Sequence, residues 1–351
     1  MSGTAEAFAD RVFASALGAV EIYSIHIGDR LGFYRAFASG AKTSTDLAAS
    51  TGVAERYVRE WLEQQATYGI LEVDLDGQSP VFALPDPHRQ VLTDELNGSY
   101  LAPLARMLTT AGEKMALLLD AYRSGEGVSW EMYGQDMRES QADMNRPFFQ
   151  NDLAGLFAGF GPVHDLLSRP GVRVADIGCG AGWSTLALAR AYPEATLHGY
   201  DIDAPSVEIA AQNALAAGLD DRVTFSSDDI ADRSPDDGYD VVVAFETIHD
   251  MAQPVQVLSA VREVISDEGL VVIMDEAVAD TFTGRGDEIE KLMYGFSILI
   301  CLPDGLSSQP SAGTGTVMRP STLRGYGEEA GFTGFRSLGE AGFFRFYELS
   351  T

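Results

Sequence analysis

Apolar side chains recur at helical spacing from the start of the chain, at Phe8, Val12, Phe13, Leu17 and Val20. That spacing predicts an amphipathic helix. A second helix is predicted over residues 25–37, and a short one with a good cap opens at Thr43-Ser44-Thr45-Asp46. Gly52 makes a turn, and residues 55–69 carry another helix. The period then changes to strand-like. Residues 70–73 and 81–84 flank a turn containing Gly77 and predict a β-hairpin. Helix, helix, turn, helix and hairpin make a winged-helix arrangement over residues 1–95. Residues 96–170 read as a largely helical connector. Its aromatics Tyr133, Phe148 and Phe149 either hold helices together or line a substrate chamber.

From residue 172 the pattern alternates strands with helices. Strands are predicted at 173–177, 196–200, 223–226, 240–245, 270–274, 334–338 and 343–349. Helices fit between most of them, as an open α/β sheet requires. Only Gly339-Glu340-Ala341-Gly342 separates the final two strands. So short a link can only be a hairpin, so the last strand must run antiparallel. Residues 171–351 therefore form a doubly wound α/β domain. Residues 307–316, rich in Ser, Gly and Thr, are expected to be a mobile loop.

Composition narrows the function. The chain has 351 residues, a size that suggests two domains, and 46% of them are hydrophobic. Its formal net charge of −28 repels DNA phosphates and anionic membranes. The helix that would enter a DNA groove carries Arg56 and Arg59 but also Glu55, Glu60 and Glu63. A groove-reading helix should show a cationic excess, so neither nucleic acid nor membrane is an expected partner. Only two cysteines occur, Cys179 and Cys301. Cys179 lies inside a glycine loop, which argues against a structural disulfide and for a reducing cytoplasm. With Glu6 and Asp10 near the start in place of a basic region, no signal peptide is expected, and no apolar run approaches a membrane span.

The glycine loop carries the chemistry. Residues 174–182 read Val-Ala-Asp-Ile-Gly-Cys-Gly-Ala-Gly, with a helix following. A strand, a glycine-rich turn and a helix make a nucleotide-type site. A dinucleotide fingerprint would need glycine at 183, where the chain has Trp183. An acid, Asp176, is also out of place beside a pyrophosphate. It suits a cofactor with no phosphate and a positive end, and S-adenosylmethionine is one. Asp201 ends the second strand and is placed to bind both ribose hydroxyls, with Ile202 beside it. Asp203 reads as a helix cap. At the end of the third strand Asp229 can accept the adenine amine while Ile230 packs on the ring. The cofactor set is Asp176, Gly178, Gly180, Gly182, Asp201, Ile202, Asp229 and Ile230, together with Phe245 from the fourth strand.

With this ordered set, the chain resembles the class I S-adenosylmethionine-dependent methyltransferases over residues 170–351. With the winged-helix-like first domain, it resembles the two-domain small-molecule O-methyltransferases, and most closely an actinobacterial branch sometimes described as transcriptional regulators. The resemblance implies a Rossmann-like seven-stranded sheet, a small acceptor and a homodimer formed through the first domain. It implies that Asp176 and Gly178 hold the methionyl end.

The fourth strand is followed by His249-Asp250, which is similar to the general-base position of the plant-type enzymes. A methyl on a sulfonium needs alignment and a deprotonated acceptor rather than further activation. A neutral imidazole can take that proton. Met251-Ala252-Gln253-Pro254 departs from the plant pattern and leaves a second acid in doubt. Asp275 and Glu276 are expected to orient His249 or to touch substrate, and His249, Asp250 and Asp275 form the catalytic set. Tyr294 lies in an insert over 282–320 whose helix either caps the acceptor site or only packs on the sheet. No metal is expected, although Asp250, Asp275 and Glu276 could offer ligands. The competing reading is a regulator that senses a ligand or cofactor and uses the winged-helix domain.

Overall fold

The structure, a computed structural model, describes residues 4–230 and 238–351. It divides into two units, one of Met1–Glu113 with Glu139–Pro147 and the other of Lys114–Arg138 with Phe148–Thr351.

The first unit begins with one long helix, Ala5–Arg30, capped by the Thr4 hydroxyl. The sequence suggested a break before residue 25. None occurs, because no proline interrupts the run and Gly28 is used for close packing. A left-handed Gly32 ends this segment before the short helix Phe33–Ala36. The helix Ser44–Thr51 carries a full capping box between Thr43 and Asp46. The helix Glu55–Thr67 and the hairpin of β1 (Glu72–Asp74) with β2 (Val81–Ala83) complete the winged-helix motif. Phe33, Tyr34, Leu47, Val58, Trp61 and Leu62 form its core. Inside it, the Tyr34 hydroxyl and the Ser24 hydroxyl meet the Gln65 amide, and the Trp61 indole N–H donates to the Ser24 carbonyl. Arg106, almost fully buried, pairs with Asp29 at 3.1 Å and with Asp143 at 2.9 Å.

The second unit holds a seven-stranded sheet in the order β5-β4-β3-β6-β7-β9-β8. The strands are β3 (Arg173–Ile177), β4 (Thr196–Tyr200), β5 (Val223–Ser226), β6 (Tyr239–Phe245), β7 (Ile265–Glu276), β8 (Gly334–Ala341) and β9 (Phe344–Ser350). β3 to β7 pair in parallel, and β9 slides antiparallel between β7 and β8. The last hairpin turn is tighter than the sequence suggested and consists of Gly342, with φ 60°, and Phe343. Alternation sends Val174, Val241, Val243 and Val272 to one face and Ala175, Val242, Ala244 and Val271 to the other. Both faces are covered, which explains the nearly continuous apolar runs of these strands. β7 extends further than predicted, so Asp275 and Glu276 are strand residues paired with Arg345 and Phe344. No helix among the described residues is long and apolar enough to cross a membrane.

A Cβ on Gly28 would sit 2.5 Å from the Trp61 ring and 2.6 Å from Tyr34. Gly28→Ala is therefore expected to destabilise the first unit by about 1–3 kcal/mol, read as a lowered denaturant midpoint. An unchanged midpoint would contradict this packing.

Candidate active site at the carboxyl ends of the parallel strands

Asp176 enters the site from β3 and is 1% exposed. Its Oδ2 accepts hydrogen bonds from the Ser184 hydroxyl at 2.7 Å and the Thr185 hydroxyl at 2.6 Å, both on the following helix Trp183–Ala191. Its Oδ1 is buried with no hydrogen-bond partner. Burial pushes the carboxyl up to about 6, against the two hydroxyl bonds. An orphaned, buried carboxylate oxygen beside a glycine turn is what a ligand ammonium would satisfy.

The glycines of the turn serve different purposes. Gly178, Gly180 and Gly182 all take left-handed φ, at 67°, 51° and 78°. A Cβ on Gly178 would strike Thr247, and one on Gly182 would strike Phe225. A Cβ on Gly180 would meet nothing within 4 Å. Two of the glycines thus permit close packing and the third borders open space.

Asp201, at the end of β4, accepts from the Gly180 N–H at 2.8 Å and the Asp203 N–H at 2.9 Å. Burial raises its pKa, and these two donors oppose the rise. Asp203 caps the helix Ala204–Ala217 through Ser206, as its position suggested, and takes two bonds from Arg138 at 2.6 and 2.7 Å. Ile202 stands 80% exposed between the two acids, and Asp229 is also exposed.

Two residues expected at the cofactor and two expected at the substrate pack in or against the hydrophobic core. Ile230 is 2% exposed and sits in the core cluster with Tyr200 and Tyr239, so its side chain fills the interior rather than offering a face to a ring. Phe245 is buried against Phe149 and Phe157, at centroid separations of 5.7 and 6.1 Å. Phe148 packs on Phe344 at 4.8 Å. These aromatics build the sheet-covering core, with Phe149 buried in it and Phe148 partly buried against it. Tyr133 is buried, with its hydroxyl donating to the Leu299 carbonyl at 2.6 Å and its pKa pushed up by burial. Tyr294 is partly exposed in an open groove with Phe282, Glu290 and Lys291.

The second half of the site gathers on β6 and β7. His249, on the turn after β6, is almost fully buried, and its Nδ1 lies 3.0 Å from both oxygens of Asp275. That contact fixes Nδ1 as the protonated nitrogen and leaves Nε2 facing Asp250 Oδ1 at 3.3 Å. Burial alone would lower the imidazole pKa. The carboxylates of Asp275 and Asp250 outweigh it and hold the pKa well above 6.5. Glu276 is also buried, and burial with Glu246 and Asp275 beside it raises its carboxyl well above the usual range. Glu246 is the only non-glycine among the described residues with positive φ, at 51°. Strain of that kind gathers at functional sites.

Sequence reasoning did not bring Cys301, Thr316 or Asp304 to this place. Cys301 ends a π-helical turn, Ser297–Cys301, between the helices Glu288–Phe296 and Leu302–Gly305. The segment 307–316, expected to be mobile, is pinned here. The Ala312 N–H donates to the Ala252 carbonyl and the Gly315 N–H to the His249 carbonyl. Asp304 accepts from the Trp130 N–H and is pushed up to about 7 by burial and by Asp250. These residues are more than fifty positions from His249, and no local pattern marks them.

The chain is similar to known proteins in both of its parts. Residues 168–297 match a family described as methyltransferase domain. The matched segment contains the glycine turn, Asp201 and His249. Residues 19–94 match the Rv2258c-like winged HTH domain. The chain is 27% identical over 281 residues to a mitomycin biosynthesis 6-O-methyltransferase from Streptomyces lavendulae, covering 74% of this chain and 75% of that protein. It is 29% identical over 111 residues to the methyltransferase ungE' of Aspergillus campestris, spanning 31% of this chain but only 30% of the fungal protein. Among solved structures, the mitomycin 7-O-methyltransferase MmcR superimposes with a TM-score of 0.74 at 23% identity, covering 99% of this chain and 98% of that one. Human N-acetylserotonin methyltransferase, solved with SAM, gives 0.73 at 16% identity, covering 100% and 99%. At those identities the two structures speak for the fold.

Proposed function

We propose that this chain transfers the methyl group of S-adenosylmethionine to a hydroxyl of a small, largely apolar acceptor. The observation that carries this reading is His249 clamped by Asp275, two residues from the Thr247 side chain that packs against the glycine turn. When bound, the cofactor supplies an electrophilic methyl on a sulfonium. The residues around it divide its recognition. Asp176 Oδ1 offers the missing acceptor to the ammonium, and the open side of Gly180 leaves room for the chain. Asp201 faces the ribose hydroxyls, Ile202 gives the adenine an apolar surface and Asp229 an acceptor. Ile230 and Phe245 support this cradle from the core.

His249 takes the acceptor proton at Nε2 as the oxygen attacks the methyl carbon, and Asp275 steadies the imidazolium that forms. Asp250 faces the same nitrogen and tunes it. Mitomycin O-methylation in the names of a relative and a structural neighbour supports a ring-bearing natural product as acceptor. Free cysteines support a reducing cytoplasm. A homodimer through the first unit is supported by exposed Phe8, Val12, Phe13, Leu17, Val20 and Ile27 along one helix. The regulator reading has the winged-helix match in its favour. Against it, Arg56 and Arg59 on the would-be reading helix are paired with Glu60 and Glu55.

Three outcomes are expected. His249→Ala slows turnover by ~10²-fold or more while leaving cofactor affinity intact. The base works only when neutral, so wild-type turnover rises with pH along a limb above 6.5, and the variant loses that limb. Equal turnover, or a limb at ordinary histidine pH, would remove the base assignment. Second, calorimetric affinity for S-adenosylmethionine falls by roughly tenfold per unit as pH drops below about 6, because Asp176 must be ionised to meet the ammonium. Asp176→Asn should flatten that dependence, and a flat wild-type curve would contradict it. Third, Phe13→Glu with Val20→Glu should halve the mass measured by light scattering. A mass unchanged by the pair would place the dimer contact elsewhere, or show that none forms.

A further inference from the structure

His249 Nε2, Asp250 Oδ1 and Cys301 Sγ all lie within 4.8 Å of one another. The Nε2–Oδ1 separation of 3.3 Å matches the edge of a tetrahedron around an ion with ligand bonds of about 2.0–2.1 Å. Asp250 Oδ1 is shielded from solvent and meets Nε2 as an ion pair rather than through a well-formed hydrogen bond, with the Cys301 thiol as its other neighbour. Both atoms point at shared space. The supporting groups are also present. Asp275 holds Nδ1–H and so presents Nε2 in the tautomer a metal requires, the carboxylate–histidine relay of zinc sites. Thr316 is 1% exposed, and its hydroxyl faces the Cys301 thiol and opposes the rise that burial gives the thiol pKa. It is placed to donate to a thiolate. Among the described residues His249 is the basic group acting on Asp250, while Asp275 adds a second buried negative charge.

We propose that His249, Asp250 and Cys301 form a binding site for a soft divalent cation of the zinc class. One nitrogen, one carboxylate oxygen and one thiolate suit zinc, with the fourth position left to water or a substrate oxygen. On loading, the Cys301 S–H bond breaks, sulfur keeps the electron pair and bonds the cation, and the proton leaves to solvent. Any proton on Nε2 leaves in the same way. The loaded site uses the lone pair that takes the acceptor proton, so the cation acts as an inhibitor. That consequence, unlike the site, rests on the functional reading above.

Cobalt(II) is the probe, titrated into the reduced, chelator-treated full-length protein. The expected result is a thiolate-to-cobalt charge-transfer band with tetrahedral visible bands, saturating at one equivalent and abolished by zinc. Cys301→Ser loses the charge-transfer band, Cys179→Ala keeps it, and Asp275→Asn weakens cobalt affinity by ~10–100-fold. Metal analysis of the wild-type protein after gel filtration with zinc gives one bound ion and needs no variant. No charge-transfer band, no retained zinc, or a band surviving in Cys301→Ser would overturn the site. Zinc should also halt methyl transfer until a chelator is added. Unslowed turnover in His249→Ala would defeat the base reading and leave the cobalt result standing.

Discussion

A carboxylate buried at the end of a strand must find a donor, a cation or a proton, and this requirement organises the molecule. Asp176, Asp201, Asp275 and Glu276 all reach the carboxyl ends of parallel strands, where an α/β sheet opens its ligand crevice. Each meets the requirement differently. Asp176 uses two hydroxyls and keeps one oxygen unsatisfied. Asp201 uses two backbone N–H groups. Asp275 uses an imidazole, and Glu276 is held toward its protonated form by its neighbours. A negative site of this kind is costly for the free protein and favours a cationic ligand, which is the electrostatic logic of a sulfonium cofactor.

The two halves of the site are mechanically joined. Thr247 can pack against the turn only because Gly178, left-handed at φ 67°, has no side chain in the space that Thr247 fills. Thr247 belongs to the same turn as His249. The cofactor loop and the proton-accepting group are therefore registered by one contact across β3 and β6, which pair in parallel. The His249 carbonyl in turn receives the Gly315 N–H, so the segment above the site is tied to the same turn. Preorganisation of this type places a base without a large rearrangement on binding.

Much of this was legible in the chain because its signals are local. The glycine spacing, the acids at strand ends and the short final hairpin each depend on neighbours within a few residues, so the seven strands and the antiparallel β9 were readable, whereas the order of the strands in the sheet rests on long-range pairing. The cap at Thr43 and the helix-capping Asp203 were readable for the same reason. Side-chain destinations were less so. Ile230, Phe148 and Phe149 have the composition of ligand contacts and of core alike, and only packing against β6 and β9 assigns them to the core. Cys301 and Thr316 reach His249 through a π-helical turn and a pinned loop, neither of which has a periodicity to read.

The arrangement of His249 is the centre of the account, and nitrogen NMR of its imidazole in the full-length protein tests it most directly. The account predicts Nδ1 protonated throughout and Nε2 titrating with a midpoint above 6.5, shifted downward in Asp250→Asn. A neutral form protonated at Nε2, or a midpoint at or below 6.5, would contradict it.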